Sequence, residues 1–460
     1  MGLEILKPLI NIMPEVEKPK EKPVLKTRLM WTGAALLIFA FLGIIMPIGM
    51  GATSQTGFLS NLQLITASKI GTLATLGIGP IVMASIILQL VVGAKIINID
   101  LQDPEQKKLF QGTQKILAIA FCFFEAGIYV ASGFVPANPG FLNLILLIAQ
   151  LAAGAIVLLY LDEVVSKYGI GSGIGLFIAA GVSFTIIWSA FSWVSSPGTG
   201  TFIGKVPQIL QGAITGDISE DAVYPLIFTV VVFLMVVYAE SIKLEVPLTF
   251  GKIRGYGAKY PLKFFYVSNI PVILAAALFA NIQLWGVAFE GMGFPLLGHF
   301  TNNQAASGIA YYLRAPYGDL STPTRVGLTL GSPDAILNII VYTIAMVVFC
   351  IVFGKFWVEM SGMGAKQVAS QLQNVGLHVP GFRRDPRVIE MVLERYIPMI
   401  TLLGSAAVGG LAVIADLTGA LGTGTGILLT VGILYRMYEE LAAQQAFEVM
   451  PALKAIFGGP

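Results

Sequence analysis

The chain alternates between long apolar stretches and short polar segments from one end to the other. Ten stretches are predominantly apolar, at roughly residues 30–49, 69–93, 115–132, 142–161, 171–191, 224–238, 269–287, 335–353, 396–414 and 422–437. Runs such as ALLIFAFLGIIM and VVVFLMVVYA lack the period-two alternation of a membrane barrel strand. A bilayer core is crossed by about 20 apolar residues in a helix, and only helices or closed barrels satisfy their backbones there. The pattern predicts an all-α polytopic membrane protein with ten transmembrane helices and both termini on one side.

The polar segments assign the sides. With a cytoplasmic start, all but four of the 28 lysines and arginines lie inside, and only Lys69, Lys205, Arg314 and Arg325 lie outside. Cytoplasmic loops retain Lys and Arg, so both termini are expected in the cytoplasm. Composition agrees: 56% of residues are hydrophobic, 12% are charged and mean hydropathy is +0.80, whereas a soluble domain carries about 25% charge. The net charge of +2 adds nothing, because the distribution carries the information. Cys122 and Cys350 both fall in apolar spans, which supports neither a disulfide framework nor a metal cluster. The first 29 residues are charged and proline-interrupted, so no cleavable signal peptide is expected.

Ten spans divide into two sets of five. An odd count per half places the halves in opposite orientations, the geometry of an inverted repeat with a site between its halves. The repeat rests on span count alone, since the halves share no clear sequence similarity. The expected divisions are a cytoplasmic N-terminal segment (1–29), a first half (30–191), an external loop (192–223), a second half (224–437) with cytoplasmic loops at 239–268 and 354–395, and a cytoplasmic tail (438–460). In LEILKPLINIM, residues Ile5, Leu6, Leu9, Ile10 and Met13 stand near helical spacing before Pro14. They form either an amphipathic helix on the membrane surface or a disordered start. Segment 53–68 (TSQTGFLSNLQLITAS) is too short and polar to span. It is an external loop or a short helix folded back into a cavity, where protein or water surrounds it. Glycine-rich runs at 71–80, 168–181 and 419–430 suit close helix approach. They do not fit GxxxxGK[ST] or GxGxxG, which argues against nucleotide binding.

Candidate chemistry inside the membrane is sparse. Ionisable groups at membrane depth are functional candidates by default, and Glu125 alone lies well inside a predicted span. It is either functional or a helix-packing hydrogen bond. His299 and His378 are in separate loops, and no HExxH, GxSxG or metal-spaced cluster is present, so an intramembrane hydrolase lacks its parts. A secondary transporter with a midplane site between the halves is one reading of the two sets of five spans. The cytoplasmic loops are the opposite: one places Lys252, Arg254, Lys259 and Lys263 among Gly and Tyr, and the other places Arg383, Arg384 and Arg387 between prolines. Such charge serves topology, and could equally contact RNA phosphates or anionic lipid.

Four long segments in order, TASKIGTLATLGIGPIVMASIILQL (66–90), LDEVVSKYGIGSGIGLFIAAGVS (161–183), KYPLKFFYVSNIPVILAAALFANIQLWG (259–286) and GTGTGILLTVGILYRMYEE (422–440), carry a resemblance that covers almost the whole chain. The sequence resembles the SecY family, the central subunit of the protein-conducting channel, in its archaeal and eukaryotic form. The resemblance implies a passive, cofactor-free and non-enzymatic pore in the cell membrane. Unfolded secretory chains cross it, and transmembrane segments leave sideways into lipid. It further implies a pore ring of Ile78, Val82, Ile174, Ile178, Ile273 and Leu429. The pairs 78/82 and 174/178 each share one helix face, and an aliphatic ring gates by dewetting. Taken alone, these six are ordinary packing residues. By the same resemblance, 53–68 is a plug hinged at Gly51. Spans two and three against seven and eight form a lateral gate with Glu125 and Asn281 as polar members. Met83 stands where relatives often place a hydroxyl, with Ser85 nearby, which puts the polar link at that point in doubt. Lys252, Arg254, Lys259, Arg383 and Arg384 become ribosome-docking residues. The implied partners are a SecE-like clamp subunit, a small beta subunit, the ribosome, signal peptides and nascent polypeptides, and membrane lipids, with no nucleic acid apart from ribosomal RNA.

Overall fold

The apolar stretches fold as helices. The computed structural model describes residues 7–21, 23–51, 67–94, 96–97, 99, 103–195, 200–216, 218–250, 257–301, 304–374, 377–378 and 386–449. In chain order come α1 (Lys7–Ile12), α2 (Leu25–Leu42), α3 (Gly79–Gly93), α4 (Pro104–Ala131), α5 (Phe141–Tyr168), α6 (Gly173–Phe191) and α7 (Lys205–Thr215). Then follow α8 (Glu220–Ser241), β1 (Lys243–Phe250), β2 (Gly257–Lys263), α9 (Ile270–Gly291), β3 (Phe300–Thr301), β4 (Gln304–Ala305), α10 (Gly308–Tyr312) and α11 (Pro323–Leu330). The chain ends with α12 (Pro333–Met360), α13 (Ala365–Asn374), β5 (Leu377–His378), α14 (Pro386–Leu417) and α15 (Gly424–Val449). Eight of these helices are long and apolar enough to cross a membrane, and α3 is a shorter apolar helix. With α15, they account for the ten expected spans.

Two halves pack along two seams. α2 to α6 form the first half, and α8, α9, α12, α14 and α15 the second. On one side α6 packs on α15, and on the other α9 packs on α3 and α4 while α12 reaches α3. The largest apolar cluster lies between the halves, with Ile86, Phe177, Ile178, Phe353 and Leu428 all under 2% exposed. Outer faces carry large apolar side chains such as Phe184, Ile187, Phe233, Leu234 and Ile344. That surface suits a lipid solvent, in which packing rather than apolar burial holds helices together.

The elements depart from the expected boundaries where polar atoms compete with the helix. The stretch 69–93 is helical only from Gly79. Before it, Thr72 Oγ1 donates to Lys69 O at 2.6 Å and Thr75 Oγ1 donates to Thr72 O at 2.5 Å. Gly71 and Gly77 take φ values of 90° and 55°, which glycine adopts without steric cost. The expected external loop 192–223 contains α7, and loops 239–268 and 354–395 contain β1, β2, α13 and β5. Some helix starts carry side-chain caps: Asp103 accepts from Glu105 N at 3.1 Å ahead of Pro104, and Ser172 accepts from Gly175 N at 3.2 Å.

Of the expected amphipathic start, Lys7–Ile12 form the short helix α1, whose Ile10 side chain lies over Gly112 of α4, and Ile5 and Leu6 lie outside the described residues. Beyond it the chain is strapped to α4 and α5. Lys115 Nζ donates to Pro14 O at 2.7 Å, and Glu163 Oε1 accepts from Val16 N at 3.2 Å. Glu163 also pairs with Lys115 and Lys167, each at 2.8 Å. Glu163→Ala removes the acceptor that joins these parts. We expect a loss of about 1–3 kcal/mol in local stability, read as lost hydrogen-exchange protection at residues 15–17 while α4 and α5 stay protected.

Candidate functional site

The six ring residues come from four helices and meet one apolar cluster. Ile78 caps the start of α3 at 1% exposure, and Val82 follows one turn on at 4%. On α6, Ile178 is fully buried and Ile174 half-buried. Asp162 Oδ1 fixes the start of this helix by accepting from Ile174 N at 2.8 Å. Leu429 of α15 is 1% exposed, and Ile273 of α9 is half-buried. Ile78, Val82, Ile178 and Leu429 belong to the central cluster, and Ile174 and Ile273 pack against it. Ala67, near the end of the segment 53–68 expected as a plug, is in the same cluster. The rest of that segment through residue 66 lies outside the described residues. Gly51 is held by donating its N–H to Pro136 O at 2.7 Å. The left-handed φ of 87° in this region belongs to Gly49 instead.

Glu125 and Asn281, expected at the gate, sit on facing helices, and among the described residues no hydrogen bond joins them. Glu125 on α4 is 2% exposed, and its Oε1 has no partner among the described residues. Asn281 on α9 is 4% exposed and donates to Ala277 O of its own helix at 2.9 Å. The seam is closed there by aromatic packing, with Phe124 edge-on to Trp285 at 6.3 Å between centroids. Met83 is buried in the central cluster. Two residues on, Gln114 Nε2 of α4 donates to Ser85 Oγ of α3 at 2.5 Å, a bond within one side of the seam and not across it. Sequence inspection flagged Ser85 but not Gln114.

Two further polar residues escaped the sequence reading. Asp416, at the end of α14, is 3% exposed and accepts from Thr425 N at 2.8 Å and Thr425 Oγ1 at 2.6 Å. It thereby caps α15 from across the turn. Asn269 precedes α9 and donates to the carbonyls of Leu428 and Leu429 on α15. Both lie just outside or at the edge of an apolar run, where composition does not distinguish a cap from a loop.

The two basic loops share one sheet. β1 pairs antiparallel with β2 from Lys243↔Lys263 to Thr249↔Gly257, and with β5 at Thr249↔His378 and Phe250↔Leu377. Lys252, Arg254, Arg383 and Arg384 lie outside the described residues. Lys259 stands in β2 opposite Pro247. At the hairpin base, Lys263 pairs with Glu439 of α15, and Lys243 reaches the same carboxylate at 3.6 Å. These two cations are thus committed within the protein.

Lys205 and Arg325, two of the four cations expected outside, line one cavity of about 320 Å³ with Asp221, Tyr317 and Ser321. Arg325 Nε is 3.9 Å from Asp221 Oδ1. Burial pushes the Tyr317 hydroxyl up to about 12 and holds the Lys205 ammonium below its ordinary value. Among the described residues no group of three or more His, Cys, Asp or Glu is placed to hold a metal ion.

These features define a polytopic helical membrane protein with an aliphatic cluster buried between two five-helix halves. The SecY family profile matches residues 72–438, and the chain belongs to that family, one of protein translocation rather than catalysis. It is 49% identical to the protein translocase subunit SecY of Methanocaldococcus jannaschii over 97% of this chain and 98% of that protein. It is 48% identical to that of Methanococcus vannielii over 98% and 99%. Among solved structures, a protein-conducting channel matches with a TM-score of 0.84 at 48% identity, covering 97% of this chain and 99% of the other. Sec61 in the canine ribosome-channel complex from the endoplasmic reticulum matches at 0.82 and 47% identity, with the same coverage.

Proposed function

We propose that this chain forms the pore of a protein-conducting channel, through which unfolded secretory polypeptides cross the membrane and apolar segments leave sideways into lipid. The observation that carries it is the convergence of Ile78, Val82, Ile174, Ile178, Ile273 and Leu429, from α3, α6, α9 and α15, on one buried cluster between the halves. An aliphatic ring excludes water by dewetting and imposes little selectivity on what passes, because apolar contact is non-directional. The seam of α3 and α4 against α9 and α12 is the lateral gate, with Glu125 and Asn281 as its polar members. Segment 53–68 is the plug, with Gly51 at its anchored end.

The channel is passive and needs no cofactor. The ribosome supplies the push, docked on the segments around Lys252, Arg254, Lys259, Arg383 and Arg384, which spring from one sheet. A SecE-like clamp helix and a small beta subunit complete a heterotrimer. The protein resides in the cell membrane with both termini cytoplasmic, as its charge distribution supports. Photo-crosslinking tests the path: a ribosome-stalled nascent chain should label probes placed at Ile78 and Ile273. Chains that dock but label neither position would place the path elsewhere and favour a small-solute transporter.

A further inference from the structure

We propose that Asn269 is a positioning residue of the seal: its side-chain amide, seated against Gly432, locks α9 to α15 so that Ile273 and Leu429 keep their places in the ring. The inference rests on the reading of those six aliphatic residues as a seal.

Asn is favoured at a helix N-cap because its side-chain oxygen accepts from the first-turn amides of its own helix. Asn269 occupies that position on α9 yet makes no such cap. Its Nδ2 instead crosses to α15, donating to Leu428 O at 3.1 Å and, at a longer 3.4 Å, to Leu429 O. The residue is 3% exposed and its Oδ1 has no partner among the described residues, so the Nδ2 contact alone offsets the cost of burying the amide and holds the two helices in one register. Apolar side chains alone would let them slide.

Three neighbouring features are built around the contact. Ser268 takes φ 54° while buried, a conformation that a non-glycine residue keeps only where its surroundings enforce it. It turns the chain so that Asn269 faces α15. Gly432 leaves the space the amide fills: a Cβ there would stand 1.8 Å from Asn269 Nδ2 and 2.8 Å from Glu240 Oε1. Finally, Ile273 N donates to Asn269 O at 3.0 Å. One residue therefore touches the backbone of both ring positions in the second half. α9 also packs on α3 and α4 across the other seam, so the lock holds the ring against motion of a gate helix.

The test uses the complete channel complex reconstituted in liposomes. Resting ion flux is measured for the parent, Asn269→Asp, Asn269→Ala and Gly432→Ala, and bismaleimide crosslinking is measured between Ile273→Cys and Leu429→Cys in the same backgrounds. Asn269→Asp keeps the size and loses the donor; Asn269→Ala removes the donor without adding charge or bulk. The expected result is a several-fold rise in resting flux in each variant, with crosslinking spread over a wider range of reagent lengths. A side chain that merely stabilised the fold would lower the melting temperature and leave both readings at the parental level, which overturns the proposal. The companion variant Ile78→Ser with Val82→Ser separates the two ideas. If it leaks while the Asn269 variants stay tight, the lock is wrong and the seal stands; if it stays tight as well, the seal reading falls and the lock with it.

Discussion

Liposomes carrying the channel with Ile78, Val82, Ile174 and Ile178 all replaced by serine leak ions at rest, whereas the parent channel stays closed. The cause is the change in what lines the constriction. Ile78, Val82 and Ile178 are at most 4% exposed, so water now finds neither room nor partners there. Each serine removes the aliphatic body that excludes water, worth about 1.5–3 kcal/mol of burial per side chain. Each also adds a hydroxyl that costs about 1–3 kcal/mol if it stays dry. Both terms favour a wetted path, and a wetted path conducts. Volume-conserving swaps among Ile, Leu and Val cost little in packing and should keep the channel tight, because the ring needs apolar bulk and no particular shape. Unchanged resting conductance in an assembled serine variant would sink the ring as the seal and leave closure to segment 53–68.

The parts of this architecture that were legible in the sequence are those that lipid dictates. A helix crossing a bilayer must be apolar over its length, so Phe141–Tyr168 and Pro333–Met360 announce themselves. The ring was different. Ile78 and Leu429 are indistinguishable by composition from any buried aliphatic, and family resemblance alone singled them out. The half-helix at Gly79–Gly93 was missed because hydropathy does not register that Thr72 and Thr75 turn their hydroxyls onto the backbone. The hairpin was legible in principle: Leu244, Val246, Leu248 and Phe250 alternate with Lys243, Glu245, Pro247 and Thr249, a strand period. Pro247 argues against a strand, since proline lacks the ladder donor. It is tolerated because β5 pairs with β1 only at Thr249 and Phe250, which leaves one side of β1 open at Pro247. The register that joins the two basic loops is a long-range contact, and nothing local encodes it.

That shared sheet makes charge reversal in the loops the second large expected effect: Arg254→Glu with Arg383→Glu abolishes most ribosome binding at physiological salt. The strands that precede segments 251–256 and 379–385 are hydrogen-bonded to one another, so a partner that reaches one loop is expected to reach the other. If they contact ribosomal RNA phosphates, each contact releases counterions, and log affinity falls linearly with log salt. Removing one phosphate contact reduces that salt slope by about 1, and reversal adds repulsion at the same point. The double variant should therefore bind weakly at low salt and respond less to added salt than the parent. Lys263→Ala is the matched comparison, since Lys263 is already paired with Glu439 and its loss should leave the slope unchanged. Equal affinity and equal slope for the double variant and the parent would assign the loop charge to membrane topology alone, and docking would then need a different surface.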